Sequence, residues 1–307
     1  MNKSKIKNAR RQTVLALAFP FMIIAMLLLW ICPLWLRKQL EIVSGKLYFK
    51  LGKKARITAI ENLTLAFGTT HSDAQIEQLA RSVFRNTAGA VLDFFARVYI
   101  NKPKSYFKMV KVVGEENLRT AYERGKGVIC LIPHISSWEL SAVTPPMLGY
   151  KTIAASKPIK GYFIQKAMVY FRARRGMINI DRTGSYRNLV AGLNAGNCLI
   201  LMIDQDTKVK GCFVDFFGKK AYTPLGAARL AADTGAAVVP MAMTRTDTGA
   251  YRFDILPEIQ AIKTDDPTND LVANTQLQTA IIENIIRQNP TQWVWMHRRW
   301  KTQFNDK

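Results

Sequence analysis

Apolar and polar positions change their rhythm along this chain. Between Arg11 and Arg37 lie 25 residues without a charge, QTVLALAFPFMIIAMLLLWICPLWL. At about 1.5 Å per residue they reach roughly 37 Å as a helix, more than a hydrocarbon core of about 30 Å. Residues 12–36 are therefore expected to form a transmembrane anchor helix behind a basic tail over residues 1–11. The run is too long for a signal peptide and has no small-x-small cleavage site. Trp30 and Trp35 sit where interfacial anchors belong, and Pro20 and Pro33 are places to kink or stop the helix. Lys3, Lys5, Lys7, Arg10 and Arg11 precede the run, and seven basic residues follow between Arg37 and Arg56, so charge counting does not orient it.

From about residue 40 to 105 apolar residues recur every three or four positions, as in ITAIENLTLAF and IEQLARSVFRNTAGAVLDFFARVY, which predicts helices. Ser72 or Asp73 supplies a start signal. Beyond residue 110 the rhythm alternates. GVICLI, KTIAAS, NCLILMI, AAVVPMAM and YRFDILPEIQ read as strands. WELSAVTPPML, IQKAMVYFRARR, SYRNLVAGLNAG, PLGAARLAADTG and DLVANTQLQTAIIENIIRQNP read as helices, two of them ending near Gly196 and Gly235. Alternating strands and helices predict an α/β fold with a mainly parallel central sheet flanked by helices, forming one domain over residues 37–307.

Charge adds a partner class. Of the 307 residues, 44 are Lys or Arg and 22 are Asp or Glu, a formal charge of +22, more than solubility requires. An anionic partner is implied: nucleic acid, a phospholipid surface or an acidic protein. The four cysteines have no C-x-x-C spacing, so neither a metal site nor a disulfide framework is expected.

The stretch VICLIPHISSWELSA carries the first candidate chemistry. Ligands gather at the carboxyl ends of strands in open α/β sheets, and His134 falls at such an end. Ser136-x-x-Glu139 also matches a capping box, which would make Glu139 a helix-start residue. Alternatively the strand-to-helix turn brings Glu139 under His134, fixing the imidazole tautomer and supporting His134 as a general base. Cys130, inside GVICLI, reads as packing. No G-x-S-x-G, G-x-x-x-x-G-K-[ST], G-x-G-x-x-G or H-E-x-x-H motif is present, which removes the usual hydrolase, nucleotide and zincin readings. Asp204 and Asp206 follow another strand as D-x-D, a pattern that suits a divalent metal and a nucleotide sugar, hence a membrane glycosyltransferase. Arg172, Arg174, Arg175 and Arg182 cluster as a solvated basic face or a phosphate clamp.

HISSWE has the form H-x4-[DE] of the glycerolipid acyltransferase superfamily. With RARR, MIDQD, FFGKKAYTPLGAARLAADTGAAVVP and QWVWMHRRWK, the chain resembles the bacterial lipid A secondary acyltransferases, the lauroyl or myristoyl transferases. Glycerolipid relatives carry Asp at the position of Glu139 and an E-G-T-R-like block in place of IDQD, which favours the lipid A branch over a glycerophospholipid acyltransferase. The resemblance implies a single-pass inner-membrane enzyme, with its catalytic domain on the cytoplasmic side. It would move a fatty acyl chain from acyl carrier protein to a hydroxyl of a 3-hydroxyacyl chain on a lipid A precursor. It implies His134 as base and Glu139 as its partner, with Arg172, Arg174, Asp204 and Asp206 near the substrate, and neither cofactor nor metal. An acidic carrier protein, a phosphorylated acceptor and an anionic membrane would all be drawn by one basic surface, whereas a nucleic-acid partner leaves His134 without a role.

Overall fold

The computed structural model describes residues 3–156, 162–181 and 186–303; the side chains of residues 3–12, 15, 16, 156 and 181 are outside that description. Four helices come first: α1 (Lys3–Ile31), α2 (Leu34–Leu51), α3 (Lys53–Phe67) and α4 (Asp73–Arg97). Ser72 starts α4 as expected, its hydroxyl accepting from Gln75 N while the Gln75 side chain accepts from Ser72 N. The alternating part follows as α5 (Pro103–Tyr106), β1 (Val110–Val113), α6 (Glu115–Glu123), β2 (Val128–Leu131), α7 (Trp138–Met147), β3 (Thr152–Ser156), α8 (Tyr162–Ala173), β4 (Met177–Asp181), α9 (Tyr186–Asn194) and β5 (Cys198–Leu201). After these run β6 (Gly211–Phe216), β7 (Lys219–Pro224), α10 (Gly226–Thr234), β8 (Ala237–Arg245), β9 (Tyr251–Ile255) and α11 (Pro267–Gln288).

Seven strands form the expected sheet in the order β1-β9-β8-β2-β5-β3-β4, parallel except where β9 meets β8. Strand residues point alternately to the two faces. Ile129, Leu131, Leu199 and Val238 accordingly join one core with Val83 and Phe84 of α4, Trp293 and Trp295. Val128, Cys130, Cys198 and Val239 join the other with Leu118, Leu140 and Val143. Both faces are covered, which is why these strands read as unbroken apolar runs. Gly235 ends α10 in the left-handed region at φ 70°, as the sequence suggests. β1, β4 and the β6–β7 hairpin went unpredicted, because short or mixed segments such as VKVV and MINID lack a clear period.

The expected anchor differs. Pro33 separates α1 from α2, and among the described residues no helix is long and apolar enough to cross a membrane. The side chains of Gln12, Leu15 and Ala16, and those of the basic tail, lie outside the described residues. What is described of α1 has two sides. It packs on α4 and α8, with Met26 buried, Phe19 5.4 Å from Phe163 and Trp30 6.1 Å from Tyr99, while Leu17, Phe21, Leu28 and Ile31 stay exposed.

The helical portion is fastened to the sheet by buried charges. Glu41 accepts from Arg245 Nη1 at 2.6 Å and Arg85 Nε at 3.1 Å. Asp93 meets Arg245 Nε at 2.9 Å and accepts from the Tyr251 hydroxyl at 2.9 Å. Removing one partner from such a cluster strands a buried charge, so these pairs tie the helices to the sheet. α2 crosses α4 so closely that a Cβ at Gly45 would lie 2.6 Å from Arg85 Cα.

Candidate active site

β2 and β5 are parallel neighbours with Leu131 opposite Leu201, and Ile132 N donates to Leu201 O at 3.0 Å. His134 and Asp204 each lie three residues beyond that pair, so the register itself delivers both to the same end of the sheet. His134 Nδ1 stands 2.7 Å from Asp204 Oδ1, and His134 N donates to Asp204 Oδ2 at 2.7 Å. The indole Nε1 of Trp293 donates to the same Oδ2 at 2.8 Å.

This geometry sets the protonation chemistry. Burial works to raise the Asp204 pKa, but the His134 charge and three hydrogen bonds outweigh it and hold the carboxyl down at about 2. Burial works to lower His134, yet the charge and hydrogen bond of Asp204, with the charge of Glu139 behind them, raise it above the ordinary imidazole value. An ionised carboxylate at Nδ1 selects the Nδ1–H tautomer and leaves the Nε2 lone pair for a substrate. With 20% of its side chain exposed, the imidazole can be reached.

Glu139 is engaged elsewhere. Arg172 holds it in a fork, Nη2 to Oε1 at 2.6 Å and Nε to Oε2 at 3.0 Å, and Arg172 Nη1 reaches Asn179 Oδ1 at 3.3 Å. The capping box is absent too. Ser136 has φ 48°, its N–H donates to Gln292 O at 2.7 Å, and the N-cap of α7 is Ser137, which makes no side-chain cap. A non-glycine residue in that region is strained, and the strain turns the chain sharply between His134 and α7. Beside this turn opens an apolar cleft of about 140 Å³. Ala90, Val91, Phe94 and Phe95 of α4 form one wall, and Ser136, Ser137, Trp138 and Glu139 the other.

An imidazole–carboxylate pair whose ring lies 5.8 Å from Trp138, on the wall of an apolar cleft, suits proton removal beside an apolar chain but does not name a reaction. Residues 4–302 match the bacterial lipid A biosynthesis acyltransferases. The chain belongs to that family. It is similar to the lipid A biosynthesis palmitoleoyltransferase of Escherichia coli strain K12, 29% identical over 257 residues that cover 81% of this chain and 80% of the relative. The lipid A biosynthesis lauroyltransferase of the same organism is 23% identical over 265 residues, covering 84% and 83%. The phosphatidylinositol mannoside acyltransferase of Mycolicibacterium smegmatis is 25% identical over 203 residues, covering 65% of each. The protein is thus an acyltransferase.

Within this acyltransferase the residues expected near the substrate separate into four places. His134 meets Asp204, and Glu139 meets Arg172. Asp206 fastens the C-terminal segment, accepting from Thr302 N at 2.9 Å, with Lys301 Nζ 3.3 Å from its carboxylate. Arg174 is exposed and lies against Tyr170. Arg175 is buried and caps α4, donating to the carbonyls of Arg97, Val98 and Ile100, each at 2.9 Å. Arg182 lies outside the described residues. His297 is pushed down to about 4 by burial and by the Lys301 charge, which leaves it neutral. Sequence reasoning assigned Asp204 to substrate and left QWVW without a role. A carboxylate 70 positions from its histidine carries no local signal of the pairing, and only the strand register creates it.

Proposed function

We propose that this acyltransferase moves a fatty acyl chain from acyl carrier protein to a hydroxyl of a 3-hydroxyacyl chain on a lipid A precursor. The observation that carries the mechanism is the 2.7 Å contact of His134 Nδ1 with Asp204. His134 Nε2 removes the acceptor hydroxyl proton as the oxygen attacks the thioester carbonyl. The tetrahedral intermediate collapses, the C–S bond breaks, the new ester remains, and imidazolium returns the proton to the departing thiolate. Asp204 stays ionised and stabilises the imidazolium. Glu139 acts on the imidazole only through space and holds the Arg172 guanidinium beside the site, where a cation favours a phosphate or a developing oxyanion. The cleft between Phe94, Phe95 and Trp138 takes the acyl chain.

The exposed apolar side of α1 and the following α2, including Trp35, Val43, Leu47 and Leu51, meets the bilayer. That exposed side holds the enzyme on the inner-membrane surface, with the domain on the side where the carrier protein resides, and the net charge of +22 draws it to anionic lipid. The D-x-D reading loses support because protein donors already occupy both Asp204 and Asp206. The test offers purified enzyme acyl carrier proteins loaded with several chain lengths and a tetra- or penta-acylated lipid A precursor, and weighs the products by mass spectrometry. One added acyl group, lost in His134→Ala, is the expected result. No transfer to the precursor, or transfer undiminished in that variant, overturns the reading, and transfer only to a mannosylated inositol lipid replaces the acceptor.

A further inference from the structure

The closing QWVW stretch runs alongside the histidine turn. Ile135 and Trp293 form an antiparallel bridge, Ser136 N donates to Gln292 O at 2.7 Å, and Val294 N donates to His134 O at 3.2 Å. The Gln292 side chain is itself pinned to the end of β8, accepting from Arg245 N at 2.8 Å and donating to Arg245 O at 3.0 Å. Trp293 is fully buried, with its ring 5.7 Å from Phe216 and 4.7 Å from Trp295. A bicyclic ring without an N–H would meet that packing need. A buried indole N–H must also find an acceptor. Its neighbour Trp295 spends the N–H on the Pro290 carbonyl at 2.7 Å, a local backbone contact. Trp293 spends it on Asp204.

We infer that Trp293 is a positioning residue for acyl transfer, its indole N–H fixing the Asp204 carboxylate that orients His134. The inference rests on the reading of His134 as the base. Asp204 receives three donors from two chain segments: the imidazole on Oδ1, and the His134 amide and the Trp293 indole on Oδ2. The pair on Oδ2 fixes the rotation of the carboxylate about its own axis and leaves Oδ1 aimed at Nδ1. The indole also draws negative charge toward Oδ2, which weakens Oδ1 as an acceptor and limits how strongly Asp204 holds an imidazolium. Without that N–H the imidazole becomes the stronger base, and its carboxylate is freer to turn. The charged and titratable groups facing the pair are Glu139 from α7 with Arg172 behind it, and His297 and Arg299 from the C-terminal segment, with Lys301 behind His297 and Asp206 behind Arg299. The isosteric change proposed below leaves each of these in place.

The experiment replaces Trp293 with 3-benzothienylalanine, which keeps the bicyclic ring and removes only the N–H, and measures kcat and KM against pH with a carrier-bound acyl donor. Trp293→Phe is run beside it. The position of a pH limb is independent of how much protein is folded, so it reads the site even where Phe loosens the core. The acid limb of kcat/KM is expected to rise by about half a unit to one unit, and plateau kcat to fall about threefold to tenfold, consistent with one donor to a charged group, while KM holds. A profile and kcat that superimpose on wild type overturn the inference, as does a change confined to KM. His134→Ala separates the two failures: a fully active His134→Ala sinks the base itself, whereas an inactive one beside an unmoved Trp293 profile sinks only the role of the indole.

Discussion

Asp204→Asn removes one charge and almost no volume, and the structure dictates how the amide must sit. Oδ2 of Asp204 accepts two N–H groups, from His134 N and Trp293 Nε1, whereas Oδ1 faces a single imidazole nitrogen. An asparagine keeps both donors satisfied only with its carbonyl oxygen in the place of Oδ2. Its NH2 then points at His134 Nδ1, which must accept. The proton moves to Nε2, the atom that would have removed the acceptor proton. The opposite flip restores the useful tautomer but sets an NH2 against two N–H donors in a buried site, at about 1 to 3 kcal/mol for each unsatisfied group. The wrong tautomer therefore prevails. The rate should fall by about 10² to 10⁴, the usual worth of a positioned base, with little change in KM. Single-turnover transfer from carrier protein to lipid A precursor measures it, and thermal unfolding confirms that the variant is folded. A folded Asp204→Asn enzyme within about threefold of wild type would refute both the dyad and its tautomer logic.

The base must be neutral, and its pKa is raised, so kcat/KM should fall with decreasing pH through a midpoint above 6.5; a midpoint at or below 6 contradicts the Asp204 contact. In stability the signs are opposite for the two partners. The His134 contribution is complete below about 6.5 and is lost as pH rises through its raised value, and that of Asp204 is present above about 4 and is lost as pH falls toward 2, which denaturant titrations in Asp204→Asn and wild type should resolve. Val91→Phe, on the α4 wall of the cleft, should shift donor preference to shorter chains by roughly fourfold in relative kcat/KM per methylene excluded, read by competition among loaded carrier proteins. An unchanged chain preference places the acyl group elsewhere. EDTA should leave transfer intact, because protein donors already occupy both aspartates of the D-x-D, and activity that is lost and then restored by Mn²⁺ would revive the metal-dependent reading.

The class of the fold was legible because each strand that became central is covered on both faces and so appears as an unbroken apolar run. GVICLI, NCLILMI and AAVVPMAM became β2, β5 and β8 on that account. His134 stood out for a related reason, as a polar titratable group at the end of such a run. Glu139 was paired with His134 because the two are near in sequence. The left-handed turn at Ser136 leads the chain into α7, where Glu139 meets Arg172 rather than the imidazole. The length and hydropathy of residues 12–36 described a membrane span. Pro33, one of the two expected stops, does divide the helices, but length and hydropathy could not show that Met26 lies buried in the domain.

By itself, then, the sequence determined what local pattern encodes: the alternation of elements, the two apolar faces of the sheet, the start of α4 and the end of α10, the family, and the histidine. Tertiary structure alone decided which acid contacts that histidine and what else contacts the acid. Asp204 arrives through the parallel register of β2 and β5, and Trp293 through a strand-like pairing of the C-terminal segment with the histidine turn. A hydrogen bond acts over about 3 Å of space regardless of separation along the chain, so its partners are chosen by the packing of distant segments rather than by spacing in sequence.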